Sequence, residues 1–282
     1  MAESINFKSI DDLNRDILKN IHKIPKNVNL IVGVPRSGML PANLIALYLN
    51  LPYTDLDSFI DGRIYGCGFR GTFIKEQKCK TILIVDDSIC TGFALAKTKE
   101  KLKNVKGYKF LYYCVYGMAQ SANKVDICCE LVPSPRVFQW NMFHHKRILS
   151  MACMDIDGVL CRDPTPEEND DGEKYRRFLL TATPKFIPTV KIKTLISCRL
   201  EKYRNETEFW LHKHGIEYDN LIMLNLPDKA SRIKWGKYGD YKAAEYKKKD
   251  YVFFIESSLS EAKRIKELTN KTVFCTETMK LV

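Results

Sequence analysis

TILIVDDSICTG, residues 81–92, is the stretch on which the reading of this chain turns. Ile82, Leu83, Ile84 and Val85 form a continuous apolar run of the kind that a parallel strand buried on both faces requires. Asp86 and Asp87 follow at once, then a turn closing on Thr91 and Gly92, and a helical pattern resumes at Ala94. A strand that runs through a loop into a helix presents backbone N–H groups and a positive helix end to an anion. Paired carboxylates at the same strand end suit a diol and a divalent cation. The two together imply a phosphorylated sugar, although an ordinary strand–loop–helix whose acids cap the helix has the same outline.

Upstream the pattern repeats. Residues 30–34 are a second buried strand, the turn Pro35-Arg36-Ser37-Gly38 follows, and a helix runs over residues 40–49. A cation and a glycine in such a turn again make a phosphate-binding geometry. Alone, P-R-S-G is a weak signal; two phosphate loops in this order are a stronger one. The apolar run with Asp-Asp, x-x-x and Thr-Gly, preceded by VGVPRSGM, resembles type I phosphoribosyltransferases, which bind 5-phosphoribosyl 1-pyrophosphate (PRPP). The resemblance implies that Asp86 and Asp87 hold the ribose hydroxyls and that Thr91 and Gly92 hold the 5-phosphate. It also implies that Arg36, Ser37 and Gly38 take the pyrophosphate, Arg36 through a charge-assisted contact and Gly38 by letting the backbone approach closely. Mg²⁺ is the implied cofactor. Phe93-Ala94 departs from the family, which often has a small residue and a hydroxyl there, so one phosphate contact is missing. Between the two loops, residues 61–78 (DGRIYGCGFRGTFIKEQK) carry Arg63, Arg70 and Lys75 among four glycines. This segment reads either as a β-hairpin with glycine turns or, from the resemblance, as a basic hood that closes over the pyrophosphate and excludes water.

Composition frames these motifs. At 282 residues the chain is long enough for two domains of ordinary size, since single cores seldom grow much beyond about 250–300 residues. The formal charge of +11 calls for anionic partners, phosphorylated metabolites or nucleic acid. Ten cysteines with no C-x-x-C argue against a zinc site or a disulfide framework and for a reducing cytoplasm. No signal-peptide pattern and no apolar run near the roughly 18 residues of a membrane span are present, so no membrane association is expected.

The remainder of the first half reads as scaffold. Residues 9–24 fit an amphipathic helix capped by Ser9, with Asp11 and Asp12 in its first turn and Ile10, Leu13, Ile17, Leu18 and Ile21 as its core face. Residues 110–116 and 126–129 read as strands. In PRVFQWNMFHH, residues 135–145, the aromatic residues are either core or the wall of a base site, with Trp140 the stacking candidate.

The organisation restarts at residues 149–154, an apolar run that ends in Asp155-Ile156-Asp157-Gly158-Val159-Leu160. On an extended segment residues i and i+2 point the same way, so both carboxylates share one face. D-x-D-G-V-L after a strand resembles the first motif of the haloacid-dehalogenase (HAD) phosphatases. The resemblance implies Asp155 as nucleophile, Asp157 as acid/base, Ser197 as the hydroxyl of the second motif, and Lys242 as the lysine of the third, with Lys229 and Lys237 as rivals. Glu256, at the end of a strand over residues 251–255, stands in the place of the fourth motif, and Asp155 and Glu256 would hold Mg²⁺. Two serines follow Glu256 where a second acid is usual. With about 40 residues between the first two motifs a full cap domain hardly fits. The acidic segment over residues 163–174 is then a small flap or a solvated loop.

The expected protein is therefore α/β, with two mostly parallel doubly wound sheets: a phosphoribosyltransferase domain over residues 1–147 and a HAD-like phosphatase domain with little or no cap over residues 148–282. The expected activity is phosphoribosyl transfer from PRPP to a nucleobase-like acceptor, coupled to hydrolysis of a phosphomonoester such as the nucleotide product. A different class is also open: a PRPP- or nucleotide-sensing protein with a polynucleotide-end phosphatase domain, bound to nucleic acid through its positive charge. The family implies a homodimer. Neither the acceptor base nor the phosphatase substrate has a signature.

Overall fold

The structure, a computed structural model, describes residues 5–65 and 80–282. The chain forms two compact units, Lys8–Arg136 and a second composed of Met1–Phe7 with Val137–Val282.

Strand β1 (Asn6–Lys8) leads into α1 (Ile10–Asn20). The helix starts where expected because Ser9 and Asp12 cap it reciprocally: Ser9 Oγ accepts from the Asp12 N–H at 3.0 Å, and Asp12 accepts from the Ser9 N–H at 2.9 Å. Its buried face differs from the apolar stripe. Leu13 and Ile17 are buried, but so are Asp16 and Asn20, while Leu18 is 44% exposed. Asp16 turns inward because Lys8 Nζ (2.7 Å) and Tyr116 Oη (2.9 Å) donate to its carboxylate.

The first unit continues through β2 (Val28–Gly33), α2 (Met39–Leu49), β3 (Tyr53–Asp55), α3 (Leu56–Ile60), β4 (Lys80–Ser88), α4 (Phe93–Leu102), β5 (Tyr108–Gly117) and β6 (Ile127–Leu131). The five strands of this sheet are parallel, in the order β3-β2-β4-β5-β6. The chain leaves β2 toward one edge and β4 toward the other, so a crevice opens beyond the carboxyl ends of these two neighbours. Both quoted loops, residues 34–38 and 86–92, emerge there.

The second unit contains β7 (Arg136–Phe138), which pairs with β1, then α5 (Lys146–Leu149), β8 (Ala152–Met154), α6 (Glu173–Thr181), β9 (Ile192–Leu200), α7 (Arg204–Lys213) and β10 (Tyr218–Leu224). It ends with α8 (Lys229–Trp235), α9 (Tyr238–Lys247), β11 (Phe253–Glu256), α10 (Leu259–Thr269), β12 (Thr272–Cys275) and β13 (Lys280–Leu281). Its sheet runs β10-β9-β8-β11-β12-β13, parallel except for β13. The order reverses at β8, which places the crevice at the ends of β8, β9 and β11. Both units are thus α/β with mostly parallel sheets.

The boundary lies eleven residues earlier than the motifs suggest. Val137, Met142, Phe143, Ile148 and Leu149 bury their side chains in the core of the second unit, as does Ile5. Apolar residues at a junction carry no mark of which core receives them. Among the described residues, no helix is long and apolar enough to cross a membrane.

Candidate functional site

The crevice of the first unit is built by a close approach of backbones. The Val34 N–H donates to the Val85 carbonyl at 2.9 Å and fastens the first loop to β4. A Cβ on Gly38 would lie 2.6 Å from the Val34 oxygen, 2.7 Å from the Val85 oxygen and 3.0 Å from the Asp86 Cα. These are backbone atoms and cannot swing aside. A Gly38→Val protein is therefore expected to lose about 1–3 kcal/mol of first-unit stability, as overpacked sites do, seen as an earlier transition in circular dichroism. An unchanged melt would show that the loops yield.

Asp86 and Asp87 lie within β4, whose last residues run past the apolar segment. Ser37 Oγ donates to Asp87 Oδ1 at 3.0 Å, and the Asp87 N–H donates to Asp86 Oδ1 at 2.9 Å, so loop and acid pair form one unit. Burial, reinforced by the neighbouring Asp87, pushes the Asp86 carboxyl up to about 8. Arg36 is exposed at the rim, and the Pro35–Arg36 peptide is cis. The second loop closes on Gly92, which takes φ +90 ahead of α4, and Lys124 Nζ donates to the Thr91 carbonyl at 2.8 Å. Lys124 is one contact that motif reading did not find. A cavity of about 180 Å³ lies beside this loop, lined by Asp86, Thr91, Gly92, Phe93 and Tyr113 among others.

Two expectations fall elsewhere. Of the basic segment over residues 61–78, Arg63 is exposed and paired with Asp61 at 2.8 Å, whereas Arg70 and Lys75 lie outside the described residues. Trp140 belongs to the second unit, where its ring stacks on Phe138 with centroids 4.9 Å apart.

In the second unit the D-x-D-G segment leaves β8 and turns at Gly158, which has φ +73 and approaches Ser257 so closely that a Cβ would sit 2.4 Å from the serine Cβ. Asp155 Oδ2 accepts from Lys242 Nζ at 2.6 Å. The same ammonium reaches Glu256 Oε2 at 2.7 Å and Glu261 Oε2 at 2.8 Å. Lys242 is 2% exposed and is the lysine at the site; Lys229 instead donates to the Asn169 carbonyl, and Lys237 lies exposed. Burial alone would lower the ammonium, but the three carboxylates override it and hold the lysine well above its usual range. Burial likewise pushes Asp155 upward against the pull of Lys242.

Glu261 is a further acid at this cavity that the motifs did not point to. It sits five positions past Glu256, in the first turn of α10, and reaches back because Ser258 caps that helix. Asp157 also differs from expectation: it is locked to the buried Arg199, which donates from Nη2 at 2.7 Å and from Nε at 3.0 Å. Burial pushes Asp157 up, but Arg199 outweighs it and leaves the carboxyl below its ordinary range. The signal was present in S-C-R, since residues i and i+2 of a strand share a face and Ser197 lies two positions before Arg199. Ser197 is 1% exposed and accepts the Arg199 N–H at 3.2 Å. Asp155, Asp157, Ser197, Lys242, Glu256 and Glu261 all line one cavity of about 240 Å³.

The acidic segment is tied down. Glu168 takes Arg162 bidentately at 2.6 and 2.5 Å, and Asp171 accepts from Lys202 and Tyr203 Oη, each at 2.9 Å. Only its first residues, Asp163 and Pro164, line the cavity.

Magnesium fits the two units unequally. It is held elsewhere through one or two carboxylates plus substrate phosphates, and the acid pair Asp86–Asp87 at the end of β4 is such a donor set. Asp155 and Glu256 are not an open set. Each spends one oxygen on Lys242 and the other on backbone N–H groups, of Ile156 at 2.8 Å and of Ser257 at 2.9 Å. Among the described residues, no group of three His, Cys, Asp or Glu side chains is disposed to hold a metal.

A family model described as "Phosphoribosyl transferase domain" matches residues 6–146, half of the 282-residue chain. Among solved structures, the chain is similar to the purine phosphoribosyltransferase from Pyrococcus horikoshii Ot3, with 21% identity and a TM-score of 0.37 over 49% of this chain and 94% of that one. It is also similar to the Helicobacter pylori xanthine-guanine-hypoxanthine phosphoribosyltransferase, with 19% identity and a TM-score of 0.38 over 49% and 93%. A third is the orotate phosphoribosyltransferase from Aeropyrum pernix, at 18% identity and 0.31 over 43% and 70%. No curated protein matches the sequence.

Proposed function

The chain belongs to the phosphoribosyl transferase domain family, and from that premise we propose that the first unit transfers a 5-phosphoribosyl group from PRPP to a nucleobase-like acceptor, releasing pyrophosphate. The observation that carries this reading is the junction at Gly38, where the Pro35–Gly38 loop meets the acid pair with no room for a Cβ and Ser37 donates to Asp87. A pyrophosphate held by that loop through Arg36, Ser37 and the Gly38 backbone lies beside a ribose whose hydroxyls donate to Asp86 and Asp87. The 5-phosphate rests on the N–H groups of Thr91, Gly92 and the start of α4, where a helix end favours an anion. Bound Mg²⁺, held by the acid pair and the substrate, supplies charge neutralisation of the pyrophosphate. The protein's own groups orient the sugar and exclude water from the anomeric carbon.

The test is pyrophosphate release from PRPP and Mg²⁺ with a panel of purine and pyrimidine bases. Base-dependent release that falls at least about tenfold in Arg36→Ala supports the reading, on the scale of one charge-assisted hydrogen bond. No base-dependent release with any acceptor sinks it.

The second unit supports a companion activity. The sheet order and the convergence of Asp155, Ser197, Lys242 and Glu256 on one cavity favour a HAD-type phosphomonoesterase. Asp155 is its nucleophile, Lys242 neutralises nucleophile and phosphoryl group, Ser197 holds the phosphoryl oxygen, and Asp157, positioned by Arg199, transfers the proton. The nucleotide made by the first unit is one substrate to offer. Asp155→Asn is expected to abolish phosphate release, by about 10³-fold or more, as loss of a nucleophile does. Retained release in that variant refutes the assignment.

A further inference from the structure

Three cysteines of the first unit, Cys114, Cys128 and Cys129, stand on its last two strands, and the proposed transfer uses none of them. Cys114 on β5 and Cys128 on the edge strand β6 are register partners in a parallel pair. Neighbouring strands run about 4.8 Å apart, and residues paired in this way point to the same face. A disulfide needs Cα atoms about 4.4–6.8 Å apart, so the two thiols are within bonding reach. The fold makes room for the second sulfur, since a Cβ on Gly117 would lie 2.5 Å from Cys128 Sγ.

The two sulfurs are unequal. Cys114 is buried and lines the cavity beside the second loop, whereas Cys128 is half-buried and meets a reagent from solvent first. The hydrogen bond from the Cys114 thiol, helped by the Gly117 N–H, outweighs burial and holds the Cys128 thiol below its usual range. An accessible sulfur with thiolate character beside a buried thiol is the arrangement that oxidants convert to a disulfide.

The other cysteines of this unit are placed differently. Cys129 follows Cys128 along the strand and so points to the opposite face, where its Sγ donates to Tyr113 Oη at 2.8 Å. Cys90 is exposed, with its Sγ 3.4 Å from Met118 Sδ. Cys67 and Cys79 lie outside the described residues.

We propose that Cys114 and Cys128 form a peroxide-responsive dithiol that closes to a reversible disulfide between β5 and β6. The Cys128 sulfur attacks one oxygen of hydrogen peroxide and the O–O bond breaks. The second oxygen takes a proton and leaves as water, and Cys128 becomes a sulfenic acid. The Cys114 sulfur then attacks the Cys128 sulfur, and the sulfenic hydroxyl leaves as water with the Cys114 proton. The two sulfurs together give up two electrons, and the peroxide is reduced to two water molecules. Dithiothreitol reverses the bond by thiol–disulfide exchange.

The experiment treats the reduced full chain with hydrogen peroxide near neutral pH, alkylates the remaining thiols in denaturant, and maps tryptic peptides by mass without reduction. Cleavage after Lys124 puts Cys114 and Cys128 in separate peptides. The expected product is these two peptides joined, two hydrogens lighter than their sum, with Cys129 alkylated and with the link lost on dithiothreitol treatment. Cys128→Ser removes the attacking sulfur, and the yield of the joined pair is expected to fall at least about tenfold. Cys114→Ser removes the resolving sulfur, with the same expected loss of the pair and a sulfenic or sulfinic acid left on Cys128. Cys129→Ser is expected to leave the yield within about twofold of wild type, since that sulfur faces away. If Cys114→Ser does not fold, the wild-type map and Cys128→Ser decide. Cys128 joined to any other cysteine overturns the proposal, and so does Cys128 oxidised or unreacted while Cys114 is alkylated in the wild type.

Discussion

Replacing Lys242 by methionine is expected to destabilise the second unit by about 3–5 kcal/mol, the cost of removing one partner from a buried ion-pair cluster. The ammonium lies 2.6, 2.7 and 2.8 Å from the carboxylates of Asp155, Glu256 and Glu261. Without it, two enclosed acids and a third at the cavity wall face one another with no compensating charge, and the Asp155 carboxyl, which burial already pushes upward, loses the cation that opposes that shift. Its pKa then stands further above that of the unfolded chain. The deficit is accordingly largest at neutral and alkaline pH and shrinks as pH falls toward the ordinary carboxylate range. The measurement is clean because all three tryptophans, Trp140, Trp210 and Trp235, belong to the second unit, so a denaturant titration followed by their fluorescence reads that unit directly. A change below about 1 kcal/mol, the usual size of an exposed pair, would mean that the cluster is solvated and the lysine dispensable.

The second large effect concerns Asp86 and separates activity from stability. Asp86→Asn is expected to reduce phosphoribosyl transfer by about 10²–10³-fold, the scale of one lost transition-state contact, while leaving the first unit as stable as before or more so. Burial and Asp87 push the Asp86 carboxyl up to about 8, so near neutral pH the folded state carries a charge penalty that the unfolded state escapes. The amide removes this penalty and keeps the shape. Sites that hold like charges together for a ligand typically become more stable when the charge is removed. Pyrophosphate release gives the first quantity and circular dichroism the second. Transfer within tenfold of wild type would show that Asp86 does not serve the sugar.

Much of the first unit was legible because its signals are local. The run at Ile82–Val85 and its counterpart before Pro35 became adjacent strands, and Ser9 capped its helix through Asp12. What local reading misses is partnership across the chain. Arg199 stood in plain view beside Ser197, but its pairing with Asp157, 42 positions away, is set by the neighbouring strands β8 and β9. Glu261 was hidden by its spacing, since a residue five positions past a strand end reaches the site only if the following helix starts on a cap that directs its first turn inward. Trp140 shows how little local reading says of an aromatic near a motif: its ring stacks on Phe138, two residues away, in the second unit. The sheet orders could not be read at all, because parallel strands of similar composition do not record their neighbours.

The pairing of β1 with β7 has a practical consequence for dissecting the molecule. The polypeptide passes from the second unit to the first after Phe7 and returns before Val137, and both crossings lie on these paired strands. In topological terms the transferase segment is an insertion whose entrance and exit share one doorway. A clone beginning at Val137 would lack Ile5, which belongs to that unit's core, and Phe7, whose ring lies 5.5 Å from that of Phe274. Splicing residues 5–7 to residue 137 through a short turn, with the 8–136 segment expressed separately, follows the seam of the fold where a cut into halves would tear it.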